Sequence, residues 1–373
     1  MLYAVMKVLE VKDLLSVMHT CRILYRHGVP LILENVRYTH ARHDHLLYRH
    51  LLLSDLSRFT HIRSLACDYM DHVTQSAIPS TSGLFAEFLH RATQLQALDI
   101  TFASNIDIDA DALAPIAALP RLRALRLRRC TDWAPLAVLL SSITTPLSAF
   151  TICTRPSIAH LAAADLNAPS LPPPPVDVLG ALVRFRDSLV ELELEVLTDM
   201  VPPAPTRGAT FPHVQRLAWR CKRAITAPVL AALFPALREL SVLGTALYPR
   251  HAVPPGTQWS TLMRVQGDCH DVAALGLRCS IRELALDATG VGGEDPEVHA
   301  DVTDILRATR PERIVIALRE PSRVLELGTL ITYLHADLRE LELAVDIALG
   351  ESALSLAALH LVSAPNAPSV QCR

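Results

Sequence analysis

The sequence predicts an α/β solenoid, in which short parallel strands stack side by side and helices cover the other side of the sheet. Three observations predict this fold class. An apolar-x-x-apolar-x-apolar pattern recurs along the chain, its copies lie about 27 residues apart on average, and apolar stretches at helical spacing separate several copies.

The copies of the pattern can be traced by their central apolar residue. In each copy the x-apolar-x-apolar portion is a short strand with alternate side chains pointing inward, and a repeat buries its apolar face only against its neighbours. Such triplets also arise by chance in chains rich in leucine, but the close similarity of the segments LRALRL, LRELSV, IRELAL and LRELEL argues against chance. The period is typical of longer leucine-rich repeats, which form a horseshoe with a concave parallel sheet and convex helices. The twelve central residues are Leu65, Leu98, Leu125, Phe150, Leu192, Leu217, Leu240, Val265, Leu284, Ile314, Leu341 and Leu359.

Helices are predicted between the strands, where apolar residues recur at helical spacing. The clearest segments are 113–117, 178–185 and 324–334. Several strands follow a proline by two or three residues, as Leu122 follows Pro120, and a proline stops the preceding helix.

Composition and charge exclude several classes of protein. The chain has 373 residues, is 50% hydrophobic and carries a formal net charge of −3, so it is too apolar for disorder. Lys and Arg number 35 against 38 acidic residues, which leaves no global positive field for nucleic acid or an anionic membrane. We therefore expect neither nucleic acid nor membrane as a partner.

The chain is expected to be intracellular, in the cytoplasm, the nucleus or both. Lys7 and Glu10 interrupt what would be the apolar region of a signal peptide, and no uncharged run reaches the roughly 18 residues of a membrane span. The eight cysteines never form a CxxC pair, so we expect reduced, mostly buried thiols.

Residues 1–28 do not follow the repeat and predict a small helical hairpin. Leu2, Val5, Met6 and Leu9 recur at i, i+3, i+4 and i+7, the apolar face of a short amphipathic helix. Asp13 stands at an N-cap or first-turn position, and a second apolar face then continues until Gly28 ends it. That face comprises Leu14, Val17, Met18, Cys21 and Leu24.

The run MKVLEVKDLLSVMHTCRILYRHG resembles an F-box, through Leu9-Glu10, Asp13-Leu14-Leu15 and Cys21. Members of that family are substrate receptors of SCF-type cullin ubiquitin ligases. The resemblance implies that the helical module docks a Skp-type adaptor and that the leucine-rich repeats after it hold an unidentified protein substrate. The residues it implies for the module's core or adaptor surface are Leu2, Val5, Met6, Leu9, Leu14, Leu15 and Val17.

The chain departs from the F-box pattern in two places. The family usually has a Leu-Pro pair and a glutamate just upstream of the position of Met1, and Val11 replaces an expected proline. A truncated F-box, a degenerate module and a plain helical cap on the solenoid all remain open. The whole arrangement resembles the diverged F-box and leucine-rich-repeat proteins of fungi. The predicted domains are a truncated F-box-like module at 1–28, a helical connector at 29–58, about twelve irregular repeats at 59–363 and a tail at 364–373.

Candidates for catalysis or metal binding are weak. The segment THARHDHLLYRH has imidazoles and a carboxylate that could ligate zinc, but no cysteine lies near it, which favours an exposed connector. There is no GxSxG, HExxH, glycine-rich phosphate loop or GxGxxG. We therefore expect no enzyme, catalytic residue, cofactor or metal. The residues of the segment are His40, His43, Asp44, His45 and His50.

The outward strand positions predict a charged concave surface for a protein partner. Acidic groups predominate toward the C-terminus, so a partner there would be basic. Alternatively, neighbouring strands neutralise each other across a spacing of about 4.8 Å, with little gain in energy. The predicted partner face comprises Arg126, Arg128, Glu191, Glu193, Glu195, Arg216, Arg220, Glu239, Glu283, Asp287, Glu340 and Glu342.

The function that follows is a non-enzymatic, protein-binding substrate receptor of a ubiquitin ligase. The alternative is a stand-alone leucine-rich-repeat scaffold with a helical N-terminal cap and no ligase role.

Overall fold

A computed structural model of the chain divides it into two compact units, Met1–Leu189 and Val190–Arg373. Each is an α/β unit with parallel strands only among its described pairs. The residues that the structure describes are 2–38, 55–68, 81–102, 110–130, 133–154, 177–196, 209–221, 226–243, 259–287, 296–318, 338–345 and 369–372.

The first unit begins with three helices and continues with strands that alternate with helices. Its helices are α1 (Leu2–Met6), α2 (Val11–Met18), α3 (Arg22–Glu34), α4 (Thr81–Arg91), α5 (Ala110–Ala117), α6 (Ala134–Ser142) and α7 (Val178–Leu182), with 3-10 turns at Leu56–His61 and Val183–Phe185. Its strands are β1 (Asn35–Tyr38), β2 (Ser64–Asp68), β3 (Ala97–Thr101), β4 (Ala124–Cys130) and β5 (Ala149–Thr154).

The second unit repeats the same alternation. Its strands are β6 (Glu191–Val196), β7 (Arg216–Cys221), β8 (Glu239–Val242), β9 (Thr261–Asp268), β10 (Ser280–Asp287), β11 (Arg313–Leu318), β12 (Glu340–Val345) and β13 (Ser369–Cys372). Its helices are α8 (Ala227–Leu233), α9 (Cys269–Leu275) and α10 (Pro296–Thr309).

The predicted repeat centres lie in strands and pair with one another. In the first unit Leu65 pairs with Leu98, Leu98 with Leu125, and Leu125 with Phe150. The remaining centres do the same in the second unit, from Leu192 to Leu341. This confirms the predicted parallel repeat fold at eleven centres, while Leu359 lies outside the described residues.

Two strands of the sheet were not predicted. In β1, Val36 pairs with Leu65, and in β13, Val370 pairs with Leu341, so both strands keep the register of the repeat centres. β1 follows a helix without a break, and β13 falls in the predicted tail. In β1 the six-residue pattern ends on a tyrosine (Leu33, Val36, Tyr38), and in β13 it begins on an alanine (Ala367, Val370, Cys372). Both copies fall in segments that the sequence analysis assigned to a connector and a tail.

The core of each unit lies between the inward strand positions and the helices. Along β4 the side chains alternate, so that Leu125 and Leu127 are fully buried while Arg126 and Arg128 are exposed. Behind the strands, α6 buries Leu136 and Leu140. The helices predicted at 113–117 and 178–185 are present, and the one at 324–334 lies outside the described residues. No helix in the described ranges is long and apolar enough to span a bilayer.

The N-terminal module has three helices instead of the predicted hairpin. α2 ends at Met18, and α3 begins after Cys21, which is its exposed N-cap. The predicted end of the helix at Gly28 is wrong, because α3 continues to Glu34. Gly28 is buried directly beneath the Met18 side chain, where a Cβ atom would collide with it. The glycine therefore permits close packing of α2 on α3.

Replacing a repeat centre should destabilise the fold. Leu125→Ala removes a fully buried side chain between two in-register neighbours and is expected to lower the free energy of unfolding by about 2–5 kcal/mol. Urea denaturation followed by circular dichroism measures the change. The matched control is Arg126→Ala on the same strand, whose exposed side chain predicts a change within about 0.5 kcal/mol. Equal losses in both variants would contradict the inward assignment of Leu125.

Candidate protein-binding surfaces

The structure divides the predicted adaptor-binding residues between core and surface. Met6 and Leu14 are 1% and 4% exposed, so they hold the helices together. Val5 is 51% exposed, and its side chain is available to a partner. Leu2 lies in α1, and its side chain is not described. The remaining three residues are partly exposed: Leu9, Leu15 and Val17.

A set of exposed apolar side chains covers the N-terminal helices. Of the nine large hydrophobic side chains that are exposed in the described part of the chain, six fall within residues 3–25. The ring of Tyr3 on α1 meets the ring of His27 on α3 edge-on, with centroids 6.5 Å apart, and His27 lies one turn beyond Ile23. We call the six residues the N-terminal apolar surface: Tyr3, Val5, Val8, Val11, Ile23 and Tyr25.

Most of this surface escaped the sequence analysis. Val8 and Val11 are 81% and 59% exposed, but they lie in or next to the connection between α1 and α2 and so fall off the helical period. The sequence does offer one signal for such a surface, namely apolar residues that lie off the buried face of an amphipathic helix. These residues can be recognised as exposed only when the ends of the helices are known.

The other side of the module is attached to the sheet. Val29, Ile32 and Leu33 of α3 are buried, and the helix leads directly into β1. The backbone N–H of Arg63 donates to the carbonyl oxygen of Glu34 at 3.0 Å, which links the end of α3 to the start of β2. The module thus has buried side chains that attach it to the sheet and a second set of apolar side chains that are open to solvent.

The outward face of the second unit carries a row of alternating charge. Seven successive strands place a charged residue at the same register position, and the sign changes at every strand. We call this row the charge ladder: Glu191, Arg216, Glu239, Arg264, Glu283, Arg313 and Glu340.

Ion pairs connect the ladder from strand to strand. Arg216 lies 2.8 Å from Glu191 and 3.8 Å from Glu239. Farther along, Glu283 lies 3.2 Å from Arg264 and 3.5 Å from Arg313. These four N–O distances make the row largely self-neutralising.

Arg313 is the most heavily paired residue of the ladder. Its guanidinium lies 2.8 Å from Glu342 and 3.4 Å from Glu340, in addition to the contact with Glu283. The hydrogen bond to Glu342, followed by the charge of Glu340, raises the pKa of Arg313 above its usual value. The sequence analysis did not name this residue, because the segment RIVI at 313–316 keeps only part of the six-residue pattern.

The structure favours the neutralised form of the predicted charged face. Besides the ladder, Arg220 pairs with Glu195 at 3.2 Å. The acidic excess predicted for the C-terminal strands is offset at the ladder by Arg264 and Arg313. Asp287 pairs in register with Asp268, and burial of the Asp268 carboxyl is the main cause that raises its pKa. In the first unit, Arg128 lies 3.3 Å from Asp99.

One group of possible metal ligands lies in the described residues. Asp268, Cys269 and His270 place one ligand atom each within 4.8 Å of one another. The three are consecutive in the chain, so connectivity alone brings them together. Asp268 already accepts a hydrogen bond from the backbone N–H of His270 at 2.9 Å, as the N-cap of α9. The histidine-rich segment at 40–50 lies outside the described residues.

The described cysteines carry free thiols, most of them buried. Cys67, Cys130, Cys269 and Cys279 are buried, whereas Cys21 is exposed. Burial raises the pKa of Cys279 to about 11 and that of Cys130 further, so both thiols are protonated at neutral pH. These buried thiols are unreactive parts of the core.

Removing the most connected cation of the ladder should weaken the second unit in a salt-dependent way. Arg313→Gln leaves Glu283, Glu340 and Glu342 without their shared guanidinium. We expect a lower urea midpoint at about 20 mM salt and a smaller loss at about 1 M, where charges are screened beyond about 3 Å. Arg282→Gln is the control, because Arg282 reaches Glu312 only at 4.0 Å. A loss independent of salt would contradict an electrostatic role.

Comparison with known proteins gives a likeness in structure alone. No protein-family model matches the chain, and no curated protein matches its sequence. Among solved structures, the chain is similar to a chain in the crystal structure of the Rad7 and Elc1 complex in yeast, with a TM-score of 0.39 and 11% sequence identity. The similarity covers 96% of this chain and 99% of that chain.

Proposed function

We propose that the chain is a non-enzymatic, protein-binding subunit that acts as an F-box-type substrate receptor of an SCF-type cullin ubiquitin ligase. Its N-terminal helices dock a Skp-type adaptor, and its repeats hold a protein substrate. The observation that carries the proposal is the N-terminal apolar surface. It lies in the short segment whose sequence resembles an F-box.

The chemistry of this surface suits a protein partner. Large apolar side chains scattered singly are ordinary on a protein surface, whereas their concentration in one small element marks an interaction site. Two of the six are tyrosines, Tyr3 and Tyr25, and aromatic residues are enriched in the buried centres of protein interfaces. Ile23 is 65% exposed at the start of α3 and would be covered by a docked partner.

The repeats offer the separate surface that a receptor needs. Their outward strand positions carry charged residues in both units, such as Arg126 in the first and Glu191 in the second, and each strand pairs with its neighbour in register. Extended faces of this kind are the binding surfaces of solenoid proteins. Adaptor and substrate would therefore occupy different parts of the chain.

The second candidate is a stand-alone repeat scaffold whose helices only cap the sheet. A specific observation favours it: α3 runs into β1 without a connector, and its residues Val29, Ile32 and Leu33 are buried. Terminal repeats of solenoids require such caps. The two candidates make different predictions for the exposed apolar side chains of the module. The adaptor role requires them to contact a partner, whereas the cap role does not.

Binding of a purified Skp-type adaptor distinguishes the candidates. We expect the wild type to bind in biolayer interferometry, and the double variant Val8→Asp with Val11→Asp to lose at least about tenfold in affinity, which corresponds to about 1.4 kcal/mol. Carboxylates at these positions would have to be desolvated beneath the partner. Ile23→Asp should weaken binding in the same direction.

The control is Val138→Asp in α6, where the side chain is 53% exposed but far from the module in sequence. It should bind the adaptor as the wild type does. Circular dichroism should show all variants folded, because every substituted side chain is exposed. A wild type that does not bind the adaptor would refute the ligase role and leave the capped scaffold.

A further inference from the structure

The outward face of the first unit differs from the charge ladder at the same register position. Where the second unit alternates Glu and Arg, β2 to β5 carry only small residues. Each of them is partly exposed, so this row is a shallow, uncharged track across four strands. The row consists of Ser64, Ala97, Ala124 and Ala149, each paired with the next.

Arginines lie on both sides of this track at β4. Arg123 comes directly before Ala124, and Arg126 lies two residues after it; both are exposed. Neither has an ion-pair or hydrogen-bond partner for its side chain among the described residues. Arg128, on the same outward face, is paired with Asp99 at 3.3 Å.

The charge at β4 is therefore not balanced as it is in the ladder. At the outward positions of β3 to β5 two arginines, Arg126 and Arg128, face the single carboxylate of Asp99, and the exposed Arg123 directly before β4 adds a third positive charge. In the second unit the cations Arg216 and Arg313 each lie within 4.0 Å of two or more carboxylates. Guanidinium groups without a carboxylate partner remain available to an external one.

The end of β4 also has an unusual backbone. Arg129 adopts a φ of +60°, in the left-handed region that favours glycine, and the pairing with β5 shifts register between Arg128 and Cys130. On the other side of β4, the carbonyl oxygen of Arg128 accepts a hydrogen bond from the backbone N–H of Phe102 at 2.9 Å, so the pairing with β3 stays regular at this point. Bulges and such backbone conformations occur preferentially at functional sites.

We infer that this surface binds an acidic, extended segment of a partner protein. We call it the basic strip and define it by Arg123, Arg126 and Arg128 together with the track of Ala97, Ala124 and Ala149. Arginine presents a planar fork of donors that matches a carboxylate with two parallel hydrogen bonds. Small residues between the arginines allow the main chain of a bound segment to approach the sheet closely. The inference rests on the part of the proposed function that assigns substrate binding to the repeats, and not on adaptor docking.

An acidic peptide fits the strip better than a nucleic acid does. Binding to a phosphate backbone needs many cations along one path and a positive field around them. Here the strip offers three arginines, Asp99 lies among them, and the chain has a formal net charge of −3. A few bidentate contacts at one place suit a short run of Glu or Asp.

Fluorescence polarisation with a fluorescein-labelled octaglutamate peptide tests the inference on the full chain. The wild type should bind, and the double variant Arg123→Glu with Arg126→Glu should lose affinity about tenfold or more. The milder Arg126→Gln, which only removes a charge from an exposed position, should weaken binding in the same direction.

The matched control is Arg238→Glu in the second unit. Arg238 is exposed and comes directly before β8, as Arg123 comes before β4, so the variant changes the charge of the whole chain without changing the strip. It should bind octaglutamate as the wild type does. A labelled dT8 oligonucleotide and octalysine complete the set, and neither should bind more tightly than octaglutamate.

Three results would overturn the inference: no octaglutamate binding by the wild type, an equal loss in the Arg238→Glu control, or tighter binding of dT8. Adaptor binding by the Arg123→Glu and Arg126→Glu double variant should match the wild type. Loss of the inferred peptide binding can therefore be distinguished from loss of the ligase role, because the adaptor measurement tests the ligase role separately.

Discussion

The strand register is the constraint on which the rest of the structure depends. In the described pairs from β2 to β5 and from β6 to β12, each repeat centre joins the next, as Leu98 joins Leu125 and Leu217 joins Leu240. Since side chains alternate between the two faces of a strand, a slip of one residue would expose the apolar set and bury the charged one. Burial of the central side chains therefore fixes the position of every outward side chain as well. Both candidate surfaces on the sheet are consequences of this register.

A fixed register also brings the outward side chains of neighbouring strands close together, and the two units avoid like-charge repulsion in different ways. Residues at one register position lie about 4.8 Å apart on neighbouring strands, so like charges there would repel. The second unit alternates sign, with Arg216 between Glu191 and Glu239. In the first unit the same row is uncharged, with Ala97 beside Ala124. Each exposed ion pair contributes little to stability. The alternating row nevertheless disfavours incorrect strand pairings, because these would place like charges side by side.

The sheet could be predicted from the sequence to a greater extent than the N-terminal module. A repeat centre such as Leu284 is buried by its neighbours in any chain that keeps the period, so the pattern alone indicates its environment. Gly28 has no such repeated context. Whether it ends a helix or admits Met18 depends on a contact between two helices. The same reason explains why the pairing of Asp99 with Arg128 instead of its register neighbour Arg126 could not be predicted.

The two faces of the N-terminal module bear on its role. A helix that only caps a solenoid needs one apolar face toward the sheet and a polar face toward water. In α3, Val29 and Leu33 meet the first requirement, but Ile23 and Tyr25 are exposed at the other end of the same helix. Val8 adds a further apolar side chain beyond what a cap requires. Because exposed apolar area lowers solubility and adds nothing to the cap, its concentration in this module favours a second contact. Capping and docking are then compatible, because different side chains of the same helices would perform them.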